Sequence, residues 1–212
     1  MEGLDLEEIL LPSVFDETRE SNIPTPEEYQ YWSDRSNRIF YIAYEIDDDY
    51  QLVELAKTII SINVEDANLA VEDRKPIRLF IMSYGGDLDQ ANFFCDLIRA
   101  SKTPIYTIAT GAAMSAGMLI LLSGHKKYAF THSRILVHQG SASFSGTATT
   151  VNDAAKDYNR QLDRMKEYIL ANTTIDKKTL NRKWSQDWYL SAEECLKYGI
   201  IDEIVTDLST IL

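Results

Sequence analysis

Ser115, His138 and Asp187 are three side chains whose types, acting together, break acyl bonds, and each stands in a distinctive setting along a chain of 212 residues. Ser115 lies between the strand-like run 104–110 and the apolar helix-like run 116–122, among glycines and alanines. A nucleophilic serine needs this setting, because small neighbours admit a substrate backbone and a helix start offers free N–H groups to an oxyanion. The same serine also reads as a small residue where strand and helix pack closely. His138 closes the apolar run Ser133–Gln139, where an imidazole acts as general base or sits satisfied in a core. His125 and His132 flank polar segments and read as solvent-facing. Asp187, between Trp184 and Trp188, orients a histidine or caps a turn. Upstream, Tyr84-Gly85-Gly86 follows a buried strand pattern, and paired glycines there let bare backbone N–H groups face the crevice at the strand ends. Together these make a nucleophile, a base, an orienting carboxylate and a donor loop, in a chain order that the chemistry permits.

The elements that must hold these residues alternate along the chain. Residues 38–46 read as a strand, 49–63 as a helix, 78–83 as a buried strand, 87–101 as a helix and 104–110 as another strand. A helix starts near Ser115, and short strands follow at 127–131 and 133–137. Residues 140–150 are small and polar and suit an exposed strand or loop. A long amphipathic helix covers 151–171, with Tyr158, Leu162, Met165 and Ile169 on one stripe. A capping box at Ser191 and Glu194 opens a helix before a last strand at 200–205. Repeating strand, helix and strand imply an α/β fold with a largely parallel sheet.

The net charge of −12 is uneven: residues 1–28 hold nine acidic side chains against Arg19, a net of −8. That segment, with Pro12, Pro24 and Pro26, reads as an extended acidic arm over residues 1–35, ahead of one domain spanning 36–212. The acidic balance argues against nucleic acid or an anionic membrane surface as main partner. No basic, apolar export signal opens the chain, and the run 112–122 is about half of a membrane span. Cys95 and Cys195 lack metal-ligand spacing, so no metal site and no disulfide framework are expected, and a reducing cytoplasm fits.

From Arg38 to Val205 the chain resembles the ClpP family, the proteolytic subunits of the ATP-dependent Clp protease. The motifs Met82–Leu88, Ala109–Gly117, Ser133–Gln139 and Asp187–Val205 carry the resemblance in order. It implies a ClpP/crotonase stack of βαβ units with a protruding strand-helix handle near 140–171. It places the nucleophile on Ser115, the base on His138, the third member on Asp187 and the oxyanion donors on the N–H groups of Gly86 and Ala116. Gly85, Met114, Ser141, Ala142, Ser143 and Phe144 are implied to contact substrate. The resemblance also implies paired heptameric rings of this chain that take unfolded polypeptide from an AAA+ unfoldase. No cofactor is implied in this subunit, since the unfoldase consumes the ATP, and the acidic arm falls at the ring entrance. A catalytically silent ring subunit and a crotonase-like acyl-CoA enzyme are the alternatives. Tyr84 and Gly140 stand where the family usually has proline, and Ser185 and Gln186 where it commonly has an ion-pairing couple.

Overall fold

The computed structural model describes residues 24–47 and 50–212, so most of the acidic segment lies outside the described residues. The chain divides into two units, residues 1–37 and 38–212. In the first, where an extended arm is expected, Pro26–Asn37 forms helix α1. Its start is well built: Thr25 Oγ1 accepts from Glu28 N–H (3.2 Å) while Thr25 N–H donates to Glu28 Oε2 (2.8 Å), with Pro26 in the first helical position. Tyr29, Tyr31 and Trp32 are exposed on it.

The second unit runs β1 (Ile39–Ile42), α2 (Gln51–Glu65), β2 (Ile77–Ser83), α3 (Leu88–Ala100), β3 (Ile105–Met114), α4 (Ala116–Ser123), β4 (Lys126–Phe130), β5 (Arg134–Val137), α5 (Ala148–Asn172), α6 (Lys177–Lys183), β6 (Trp188–Leu190), α7 (Ala192–Lys197) and β7 (Glu203–Val205). Strands β1, β2, β3, β4 and β7 lie side by side in parallel, as crossover helices require. Along the edge away from β2, β3 serves two neighbours. Tyr106–Ala109 pair with β4 and Ala112–Met114 pair with β5, the strand turning at Gly111 with φ +106°. That division carries the end of β3 four residues beyond the limit its sequence pattern indicates, out to Ser115.

The helices bury the faces their periodicity marks: Leu52, Ala56, Ile59 and Ile62 on α2, and Ala91, Phe94, Cys95 and Ile98 on α3. All eight residues of α4 are buried. Cys95 and Cys195 are free thiols in the core, where burial pushes each up to about 12. On the other sheet face Ile108, Tyr128, Val205 and Ile211 form a second apolar cluster, and Arg78 donates to the carbonyls of Ile211 and Leu212.

Two sequence expectations change. β1 ends at Ile42, and Ile46 returns as a single parallel bridge to Gly86. Residues 140–147 form no strand, because no strand lies beside them among the described residues and Gly140 and Gly146 take φ of +75° and +138°. Thr147 instead caps α5, accepting from Thr150 N–H (3.3 Å), so the helix opens at Ala148. Only Ile169 of its 25 residues is buried. The handle is therefore a loop and a long helix.

A buried ion pair closes the connection between α2 and β2. Arg38, at φ +57°, makes paired bonds of 2.7 Å to both oxygens of Asp66, which also accepts from Thr103 Oγ1 (2.8 Å). The Arg38 guanidinium holds the Asp66 carboxyl below the usual carboxylate range, against the opposing effect of burial. A depressed folded-state pKa gives stability that is present above the unfolded value and lost as pH falls through the folded one. Asp66→Asn is expected to cost about 3 kcal/mol in urea unfolding near neutral pH. The difference from the unsubstituted protein shrinks as pH drops below the normal aspartate range.

Candidate active site

Ser115 joins β3 to α4 at φ +54° and ψ −121°, a conformation that costs a non-glycine residue about 1–3 kcal/mol. Surrounding bonds hold it there: its N–H donates to Leu136 O (3.1 Å), and its carbonyl accepts from Met118 N–H (3.0 Å) and Leu119 N–H (3.3 Å). The nucleophile candidate is thus tied to β5, the strand that leads to His138.

The Gly85-Gly86 loop lies against this elbow. A methyl group on Gly85 would sit 2.7 Å from Ser115 Cβ and 3.1 Å from Ala116 N, and one on Gly86 would sit 1.8 Å from Ile46 O. Ile46 N–H donates to Gly85 O (2.7 Å) and Asp87 N–H to Ile46 O, so Gly86 is held on both sides. Ser83, which is buried, supports the loop from beneath: its Oγ donates to Tyr44 O (2.7 Å) and accepts from Gly85 N–H (3.2 Å). Among the described residues neither Gly86 N–H nor Ala116 N–H has a protein acceptor.

β5 and β6 are antiparallel and their last pair is Val137 with Trp188, so the next residues outward, His138 and Asp187, face each other. His138 Nδ1 lies 3.2 Å from Asp187 Oδ1; with its proton on Nδ1, the ring donates there and leaves Nε2 as the basic atom. His138 Nε2 is buried without a hydrogen-bond partner among the described residues, and Ser115 Oγ makes no bond to it. The Asp187 side chain is 61% exposed and that of His138 24%.

Ser115, Ala116, Gly86, His138, Ser141 and Ala142 line one cleft of about 390 Å³. Gly85, Met114, Ser143 and Phe144 do not. Gly85 is buried behind the elbow, Met114 packs with Ala112 and Leu136, and Phe144 meets the Tyr158 ring edge-on at 5.9 Å. Tyr158 OH also donates to Gln139 O (3.0 Å), binding the loop after His138 to α5. Gly140 takes φ +75°, which proline cannot adopt. Sequence reasoning missed Asp89, Leu119, Tyr158, Gln161 and Met165, which also line the cleft. Tyr158 and Met165 lie on the α5 stripe, which also suits helix docking, whereas Leu119 is on α4 and Gln161 lies off that stripe. His125 and His132 are exposed and stand apart from the cleft, His125 accepting from Ile105 N–H (3.0 Å). No group of three or more candidate metal ligands occurs among the described residues, and none of their helices is long and apolar enough to cross a membrane.

The family model described as Clp protease matches residues 35–207. The chain belongs to the Clp protease family. It is 32% identical over 133 residues to the ATP-dependent Clp protease proteolytic subunit 2 of Treponema pallidum (strain Nichols), covering 62% of this chain and 67% of that protein. It is 34% identical over 131 residues to the proteolytic subunit of Deinococcus radiodurans, covering 61% and 64%. The chain thus spans about two thirds of the length of these Clp relatives, and the mostly parallel α/β sheet agrees with the family.

Proposed function

We propose that this Clp protease family member is a serine peptidase acting on unfolded polypeptide. The observation that carries the reading is the convergence of Ser115, His138 and two unengaged backbone N–H groups on one cleft. In this mechanism His138 Nε2 takes the Ser115 Oγ proton as the alkoxide attacks a peptide carbonyl. The resulting oxyanion accepts from Gly86 and Ala116 N–H. His138 then returns the proton to the departing amine, and water, deprotonated by the same nitrogen, releases the acyl group from Ser115. Asp187 fixes the ring tautomer. A histidine nitrogen buried with no partner is costly, and the serine hydroxyl relieves that cost once substrate draws Oγ toward it.

The family relationship supports rings of this chain working with an ATP-consuming unfoldase in the cytoplasm, and the peptidase step is assigned no cofactor of its own. The acidic segment is assigned to the ring entrance. The test is a peptidyl phosphonate, which reacts with an activated serine: mass spectrometry is expected to find Ser115 labelled, with short-peptide hydrolysis abolished in step. An unlabelled Ser115 in a protein that cleaves no peptide overturns the reading and leaves a silent ring subunit.

A further inference from the structure

The cleft at Ser115 adjoins a second cavity of about 310 Å³, and the two share Asp89, Leu119, Gln161 and Met165. The cleft wall that holds Ser115 includes apolar Leu119 from α4 and Met165 from α5. It also includes Asp89, and the second cavity adds Asp96, both from α3. Arg164 is the one cation lining the second cavity among the described residues, and it makes no ion pair there with either carboxylate. Asp87, at the start of α3, spends Oδ1 on Gln90 N–H (2.8 Å), whereas Asp89 has no such bond. A cleft that sets Leu119, Met165 and the unpaired Asp89 carboxylate beside the nucleophile matches one kind of side chain: a long aliphatic stem with a cationic tip.

Resting on the peptidase reading, we propose that Asp89 is a specificity-determining residue that favours lysine or arginine immediately before the scissile bond. The stem lies along Leu119 and Met165 and the cation meets the Asp89 carboxylate. Glutamate at the same place is disfavoured by Asp89 and Asp96 together. Because the pair is partly exposed, salt weakens it.

Three fluorogenic peptides that differ only in lysine, norleucine or glutamate before the cleaved bond test this on the assembled protein. The lysine-to-norleucine ratio of kcat/KM is expected to be about five in low salt and to collapse toward one in 1 M salt. In Asp89→Asn the ratio falls about five-fold, and in Asp89→Lys the glutamate peptide overtakes the lysine peptide. A ratio in Asp89→Asn equal to that of the unsubstituted protein, or cleavage of norleucine at least as fast as lysine, overturns the inference while leaving the peptidase reading intact. No cleavage of any peptide together with an unlabelled Ser115 removes both.

Discussion

Ser115→Ala is expected to lower peptide hydrolysis by a factor on the order of 10⁵ or more while leaving the fold as it is. The substitution keeps Cβ, so the strained backbone at φ +54° is unchanged. It removes a hydroxyl that has no hydrogen bond to His138 in the unliganded protein, so no buried group loses a partner. Unfolding free energy should therefore stay within about 0.5 kcal/mol of the parent. What disappears is the covalent route, and only the background supplied by the amide donors and by substrate positioning survives. Peptide assays and urea unfolding on the same preparations check both halves. Hydrolysis that persists in Ser115→Ala would mean that cleavage arises in another polypeptide and that this chain serves a structural role.

Gly86→Ala is the second large effect, and it comes from backbone geometry. The added methyl would lie 1.8 Å from Ile46 O, 2.6 Å from Ile46 C and 2.9 Å from Ile46 N, atoms that cannot rotate away. The loop has to move and the Ile46 bridge has to open, which turns the Gly86 N–H from the cleft. Loss of one oxyanion donor lowers kcat by about 10²- to 10³-fold, with a smaller change in KM. Gly111→Ala is the matching control. Gly111 also has a positive φ (+106°), but a methyl there meets nothing within 4 Å, so it carries the conformational strain without touching the donor loop. If the two variants lost activity equally, strain rather than donor displacement would be the cause.

The periodic elements were legible because burial imposes a period. Leu52, Ala56, Ile59 and Ile62 lie on one stripe, and the structure buries that stripe. Local capping chemistry was legible too, at Ser191 with Glu194, and was overlooked at Thr25 with Glu28, where the same pattern opens α1. Residues 140–147 were harder. A strand exists only beside a partner, and small polar residues with two glycines name none. Of the site, Ser115, Gly86 and His138 could be picked out because their chemistry constrains their neighbours. Tyr158 and Met165 could not, since an amphipathic helix looks the same whether its stripe closes a cleft or meets another helix. The facing of His138 and Asp187 depends on the β5–β6 register, which a sequence separation of 49 conceals.

That register sets how the machinery fails. Ser115 stands between a ten-residue central strand and a wholly buried helix, and His138 follows β5, which β3 holds, whereas Asp187, which orients His138, precedes β6, three residues long and bonded on one side only. Segments of such unequal anchorage open at unequal free energies. Mild denaturant or warmth is expected to loosen β6 first, freeing Asp187 and Trp188 from β5 and silencing hydrolysis while the parallel sheet and compact form persist, and cooling is expected to restore it. Loss of turnover is then a local, reversible event well before the chain unfolds.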